Sequence, residues 1–294
     1  MISIFNVLNK KQDELLEFCK EKLKEYKFKK VISNGKWVLG QGNIPILLVA
    51  HLDTVHKKLP EIYYDKKKQV LWSPNGIGGD DRCGVYAILK ICETYKPYVL
   101  FTTDEEVGGK GAENFTKVFK KSKLKDHINF MIEIDRRGYN QAVFYDCGNE
   151  EFQKYILSFG FDEQFGSFSD ISVLSPALDI ASVNLSAGYY NEHTETEYID
   201  LNDLQNTIDK VCEILDDKEH HKYYDYQEVE YEYTNLPSTR YTSYLNSPVP
   251  NSVKNDYIEL TEGEWEQIYG FRKPNTYNDL IKIYEDMYYG WDNY

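Results

Sequence analysis

The sequence predicts an α/β protein with three layers, in which helices cover both faces of a mostly parallel central sheet. Continuous apolar runs such as Ile44–Ala50 are typical of strands that are buried on both faces. Amphipathic helical segments alternate with these runs along the chain, as they do in parallel α/β sheets. With 294 residues, 41% of them hydrophobic, the chain can build one large α/β domain or two smaller ones.

The first half of the chain begins with an amphipathic helix, because residues 10–26 place Leu15, Cys19 and Leu23 on one helical face. Asn34-Gly35 is a strong hairpin signal between two strands. The strands predicted in this half are 28–33, 36–40, 44–50, 62–65, 69–72 and 98–102, and the further helices are 84–95 and 112–121.

The second half continues the alternation and then changes in composition. The predicted strands are 129–134, 142–145 and 180–185, and the predicted helices are 150–159 and 201–215. After Asp216 the chain becomes acidic and rich in tyrosine, and the region 235–254 has the proline and polar content of a linker. Two helical signals follow, one at Thr261 and one at about Thr276. We therefore predict a main domain over residues 1–216 and a linker with a docked helical extension over 217–294.

The charge and cysteine content exclude several classes of protein. A formal net charge of -14 argues against binding to nucleic acid or to an anionic membrane surface, since both need surplus lysine and arginine. No apolar run approaches the length of a transmembrane helix, and the amino terminus lacks the features of a signal peptide. Five scattered cysteines, an odd number, do not suggest a disulfide framework, so we expect a cytoplasmic protein.

Polar side chains that suit a metal follow several of the predicted strands. They occur in His51-Leu52-Asp53, in Gly78–Gly84 and in Asp104-Glu105-Glu106, and another imidazole follows at His193. Imidazoles and carboxylates are the ligands that zinc accepts, and ligand sites gather where parallel strands end. The sequence therefore predicts a metal site that can activate water for hydrolysis at neutral pH, with a carboxylate as base.

Each segment by itself has a simpler explanation. The triplet that contains Glu105 and Glu106 could be a solvated acidic turn, and the His51 segment could be a surface turn. Asp80 or Asp81 could cap the helix that follows. Only the combination of the segments favours the metal site over these alternatives.

The same segments carry a family resemblance. His-x-Asp-x-Val, Asp-Asp-Arg-x-Gly and Asp-Glu-Glu-x-Gly, in this order, resemble the motifs of the co-catalytic zinc exopeptidases of the M20, M28 and M42 types. The motifs are most similar to those of peptidase-T-like M20 members, and the resemblance covers about residues 44–215. It implies the zinc exopeptidase fold, which belongs to the phosphorylase/hydrolase-like type. It also implies a catalytic role for the main domain.

The resemblance also implies a set of five metal ligands for two zinc ions. Asp80 would be shared between the ions, with His51 and Asp135 completing the first site and Glu106 and His193 the second. Co²⁺ and Mn²⁺ are alternative metals.

Two further residues take catalytic roles by the same resemblance. Glu105 would be the general base. Asp53 would be the outer partner of His51, because period-two spacing places both side chains on one side of the strand end. The family also implies a cis peptide bond after Asp80.

The chain departs from the M20 pattern in two respects, because it lacks room for a lid domain and carries Arg136-Arg137 after Asp135, where small residues are common. Only 58 positions separate Asp135 from His193, which is too few for the M20 lid domain and suits the lid-less M28 architecture. One guanidinium of Arg136-Arg137 could bind a substrate carboxylate, although a structural ion pair explains the arginines equally well. Asp170 lies in a loop that resembles a family loop near the active site, which makes it a candidate substrate contact.

These expectations define a metal-dependent hydrolase that cleaves an amide bond of a small substrate, most simply an aminopeptidase that acts on short peptides. The alternatives are an N-acyl amino acid deacylase or carboxypeptidase of the same superfamily, and a non-catalytic descendant that binds peptides. A third alternative adds an interaction module, the tyrosine-rich tail, to the enzyme. The expected partner is a short peptide or an N-acyl amino acid, and a homo-oligomer is left open.

Overall fold

The computed structural model of the protein describes residues 2–119 and 123–229. The linker predicted at 235–254 and the two helices predicted after it lie outside these residues. Seven α-helices and twelve strands occur in the described part: α1 Ile4–Leu8, α2 Gln12–Glu25, β1 Lys30–Ser33, β2 Trp37–Gln41, β3 Ile44–His51, β4 Tyr63–Asp65, β5 Val70–Trp72, α3 Gly79–Ile91, β6 Pro97–Thr102, α4 Lys110–Phe119, β7 Phe130–Arg136, β8 Gln141–Val143, α5 Glu150–Leu157, β9 Asp162–Gln164, α6 Asp170–Leu178, β10 Ser182–Ser186, β11 Tyr189–Tyr190, β12 Tyr198–Asp200 and α7 Leu201–Asp216.

Eight of these strands form the central sheet, in the order β1-β2-β6-β3-β7-β10-β8-β9. The four middle strands, β6, β3, β7 and β10, are parallel neighbours. Antiparallel pairing joins β1 to β2, β2 to β6 and β10 to β8. The prediction of a mostly parallel sheet is confirmed, and the carboxyl ends of its four middle strands meet along one edge.

The sheet has a separate apolar core on each face. Leu48 and Ala50 of β3 join the core that contains α2, α3, α5 and α7, whereas Leu47 and Val49 join the core that contains α4 and α6. Because both faces of β3 are covered, its sequence shows a continuous apolar run and no alternation. The predicted three-layer architecture is therefore confirmed.

A second, small sheet has the strand order β11-β12-β5-β4. Its inner face buries Leu71 and Ile199 completely. On its other face, Tyr63 stacks on Trp72 with ring centroids 4.8 Å apart, and Tyr190 stacks on Tyr198 at 4.9 Å. The hairpin of β4 and β5 was predicted, but β11 and β12 were not, because such short strands leave no periodic signal.

Two helices also escaped the sequence prediction. Helix α1 has only five residues, and α6 contains Pro176, which in a sequence suggests a helix break. Both helices bury apolar side chains, so tertiary packing outweighs the weak local signals.

The described chain continues past α7 and packs against the main sheet. Tyr224 is 2% exposed and lies against Phe130 and Phe152, with ring centroids 5.9 Å and 5.3 Å away. The domain boundary at Asp216 and the docking of the extension stay predictions. Within the described residues, no helix is both long enough and apolar enough to span a bilayer.

Candidate metal centre

The four parallel strands bring the predicted ligands to one edge of the sheet. His51 is the last residue of β3, and Asp135 is the last but one of β7. Glu105 and Glu106 lie in the turn after β6, and the segment after β10 leads to His193. The predicted placement of His51, Asp135 and the Glu105-Glu106 pair at strand ends is confirmed, whereas His193 lies in a turn between strands.

Asp80 lies between the two imidazoles. Its Oδ1 is 3.0 Å from Nε2 of His51, and its Oδ2 is 3.3 Å from Nε2 of His193. Each imidazole also faces a second carboxylate, because His51 Nε2 is 3.5 Å from Asp135 and His193 Nε2 is 3.1 Å from Glu106. Two sets of one histidine and one carboxylate therefore share the carboxylate of Asp80.

The loop before α3 orients Asp80. Gly78 adopts a left-handed conformation, with φ of 67°, and the Asp80–Asp81 peptide bond is cis, as the family resemblance implies. The carboxylate of Asp81 accepts hydrogen bonds from the backbone N–H groups of His51 (3.2 Å) and Gly84 (3.0 Å). Asp81 thus caps the helical part of α3, as one alternative from the sequence predicted, and it also holds the end of β3. Asp80 instead faces the imidazoles.

Asp53 connects the His51 segment to the glutamate turn. Its two carboxylate oxygens accept the backbone N–H groups of Glu105 and Glu106, each at 3.0 Å. Its Oδ1 also lies 3.3 Å from Nδ1 of His51, on the side predicted from the sequence. Asp53 therefore fixes the turn that carries Glu105 and Glu106 and lies within ion-pair distance of the His51 imidazole.

The centre concentrates negative charge out of water. Burial, together with the neighbouring Asp135 and Asp170, raises the pKa of Glu105 to about 9. Burial and the charge of Asp80 raise the pKa of Asp135 to about 7. The facing carboxylates of Asp80 and Glu106 raise the pKa of His193 to about 11. The carboxylates that face His193 therefore favour a positive charge beside them.

The donor set fits a metal. Ligand atoms of His51, Asp80 and Glu106 all lie within 4.8 Å of one another. Nitrogen and oxygen donors of this kind are the ligands of zinc. A pair of dications would also supply the positive charge that this group of buried carboxylates needs.

The three predicted substrate contacts occupy different environments. Arg137 forms an ion pair with Glu192 (2.6 Å) and is exposed, while Nε of Arg136 donates to the side chain of Gln141. Asp170 begins α6 and is fully buried, and its Oδ2 accepts the hydroxyl of Thr102. Among the described residues, Oδ1 of Asp170 has no hydrogen-bond partner.

Sequence reasoning missed several residues of the centre. The hydroxyl of Tyr189 donates to Oδ1 of Asp135 (3.1 Å). Glu133 is fully buried near the ligands and accepts the hydroxyl of Ser169. Glu197 accepts the backbone N–H of Asp80 (3.0 Å). The only sequence signal for Glu197 was its position four residues after His193.

Comparison with known proteins identifies similar folds. The sequence profile described as Peptidase family M28 matches residues 35–160. A tripeptidase from Staphylococcus aureus is similar in structure, with a TM-score of 0.58, 14% identity and coverage of 72% of this chain and 96% of that chain. The aminopeptidase PepT from Bacillus cereus gives a TM-score of 0.56, 13% identity and coverage of 72% and 96%. No curated protein matches.

An archaeal peptidase gives a similar result. The TET1 peptidase from Pyrococcus horikoshii, which can assemble into a tetrahedron or a large octahedral shell, has a TM-score of 0.54 and 14% identity, with coverage of 72% of this chain and 99% of that chain. At these identities the solved structures share the fold, and the M28 profile adds similarity in sequence over the ligand segments up to residue 160. The M28 match agrees with the lid-less architecture expected from the spacing of Asp135 and His193. The chain is therefore similar in sequence to Peptidase family M28 over residues 35–160, and it shares its fold with these peptidases.

Proposed function

We propose that the protein is a dinuclear zinc aminopeptidase that acts on short peptides. One observation carries this proposal: the two oxygens of Asp80 face two different imidazoles, and each imidazole has its own second carboxylate. A shared carboxylate between two such sets is the arrangement that a pair of neighbouring metal ions needs.

The two sets would divide the proposed ligands between two ions. His51 and Asp135 would hold one ion, Glu106 and His193 the other, and Asp80 both. Zinc ions held there would polarise the scissile carbonyl and make water acidic enough to attack near neutral pH. The donor atoms alone would also accept Co²⁺ or Mn²⁺.

Glu105 is proposed as the general base. Its Oε2 lies 3.9 Å from Nε2 of His51, which places the carboxyl beside the proposed ligands. The other carboxylates nearby already have contacts, because Asp104 pairs with Lys36, Glu106 faces His193, and Asp80 faces both imidazoles. From this position Glu105 can take a proton from the attacking water and pass it to the leaving nitrogen. The bonds from Asp53 to the turn keep the Glu105 backbone fixed while this happens.

The surroundings of the ligands favour a substrate with a free amino group. An N-acyl amino acid or a carboxypeptidase substrate carries a carboxylate near the scissile bond and would need a cation there. Of the two arginines predicted to provide it, Arg137 already pairs with Glu192, and Arg136 donates to Gln141. A substrate with a free amino terminus needs no such cation.

The proposal is tested by measuring zinc-dependent hydrolysis of aminoacyl anilides, dipeptides, tripeptides and N-acyl amino acids, with Glu105→Gln as the control. We expect the wild-type protein to cleave the anilides and short peptides and the variant to be nearly inactive. Preferential cleavage of N-acyl amino acids would establish the deacylase alternative. Binding of peptides without turnover at any tested metal would support a non-catalytic descendant.

A further inference from the structure

One buried carboxylate, that of Glu197, joins three loops around the centre. Glu197 is 1% exposed, and its Oε1 accepts the backbone N–H of Asp80 at 3.0 Å. Its Oε2 accepts the backbone N–H of Gly78 at 2.8 Å and lies 2.6 Å from Nε2 of His56. Both oxygens are therefore committed, and every donor comes from a segment that also carries a proposed metal ligand or its partner.

Close packing keeps these contacts in place. A Cβ atom on Gly76 would lie 2.0 Å from the ring of His56, so the imidazole rests directly on the backbone of this loop. A Cβ on Gly79 would lie 2.8 Å from Cβ of Tyr189. The loop that leads to Asp80 thus fits between the His56 ring and β11, and glycines make that fit feasible.

Other contacts also join these segments, since Asp81 accepts the backbone N–H of His51 and the backbone N–H of Gly76 donates to the carbonyl of Glu195, but Glu197 contacts the backbone of Asp80 itself. His56 follows the His51 segment, Gly78 and Asp80 begin α3, and Glu197 lies four residues after His193. A shift of Glu197 would move the backbone of Asp80, and the two oxygens of Asp80 would then no longer match both imidazoles. Glu197 is therefore placed where it can set the geometry of both proposed metal sites without contacting a metal.

We infer that Glu197 is a positioning residue for the metal pair and that His56 holds its carboxylate in the required orientation. This inference rests on the proposed dinuclear centre. A carboxylate is needed because both oxygens accept backbone N–H groups. A glutamine at this position has one oxygen and one NH₂ group, so it would present a donor to one of the two N–H groups.

The test compares Glu197→Gln with Glu195→Gln, a matched change at an exposed glutamate two residues earlier. Zinc affinity is measured by competition with a chromophoric chelator, and the melting temperature is measured in EDTA. Outer-shell partners typically contribute about 10–100-fold to metal affinity. We expect Glu197→Gln to lose affinity by about this factor, while Glu195→Gln stays at the wild-type value and both variants melt in EDTA near the wild-type temperature.

Two results would overturn the inference. One is a zinc affinity of Glu197→Gln equal to that of Glu195→Gln. The other is a loss of affinity that is fully explained by unfolding of the EDTA-treated variant, which would make Glu197 a residue of the fold alone. Because the readout is zinc binding, a wild-type protein that binds two zinc ions but cleaves no peptide would refute the proposed activity and leave this inference intact.

His56 provides a second, independent test. His56→Gln retains an N–H donor for Glu197, whereas His56→Leu removes it. We expect the leucine variant to bind zinc several-fold more weakly than the glutamine variant, with similar melting temperatures in EDTA. Equal zinc affinities in the two variants would overturn the role of His56 and with it the inference.

Discussion

The carboxylate of Asp80 contacts a different imidazole with each oxygen, so both its charge and its shape matter at the scale of a single residue. The sequence could predict the type of this residue and its neighbours in the motif. It could not predict Glu197, because the contact between His56 and Glu197 joins residues 141 positions apart. Likewise, the motif predicted a bond from Asp53 to His51, whereas the two hydrogen bonds to the glutamate turn depend on how β3 and β6 pair.

At this scale, Asp80→Asn should reduce bound zinc from two ions per chain to one or none. An amide presents one acceptor and one donor, so it cannot serve both sites. The zinc content of the purified variant checks this, with Asp146→Asn, at an exposed aspartate, as the matched control. Two tightly bound ions in Asp80→Asn would contradict the shared role of this carboxylate.

Glu105→Gln should leave zinc binding and the fold unchanged and lower kcat by about 10²–10⁴-fold, the usual contribution of a general base. The amide keeps the size of the side chain but cannot take up a proton. The measurement is kcat on an aminoacyl anilide together with zinc content, with Glu195→Gln as the control. Normal turnover in the variant would move the base to another residue.

At the scale of elements, the small sheet could not be predicted from the local sequence alone. Strand β11 has two residues and β12 has three, and both exist because β11 pairs with β12 and β12 pairs with β5. The large sheet was predictable because its buried strands are long apolar runs. The small sheet depends on contacts between segments that are more than a hundred residues apart, such as Leu71 with Ile199.

The two faces of β5 should respond differently to truncation. Leu71→Ala removes a fully buried side chain and should cost about 2–5 kcal/mol in the free energy of unfolding. The side chain of Trp72 is 43% exposed, and Trp72→Ala loses mainly its stacking on Tyr63, a contact worth about 0.5–1.5 kcal/mol. Denaturant unfolding of both variants checks this, and a larger loss for Trp72→Ala would contradict the assignment of the two faces.

At the scale of the whole molecule, the apolar cores on both faces of the sheet are complete without the metal centre. Zinc should therefore stabilise a protein that is already folded. One ion at a free concentration of 100 times its Kd adds about 2.7 kcal/mol. We expect EDTA to lower the melting temperature while circular dichroism at 25 °C stays unchanged. An identical melting temperature with and without zinc would contradict metal binding at this centre, and loss of helical signal in EDTA would contradict the independence of the cores.

The two histidines of the centre differ in their access to solvent. The side chain of His51 is 1% exposed, whereas that of His193 is 51% exposed and lies in a loop rather than at a strand end. An ion held by His51 would lie beside a side chain that is shielded from water, whereas one held by His193 would lie beside a side chain that is half exposed. Zinc should therefore leave in two kinetic phases on addition of excess chelator, with the slow phase lost in His51→Ala. The protein would then retain one zinc ion and exchange the other with the surrounding solution. The concentration of free zinc would determine what fraction of the molecules holds both ions.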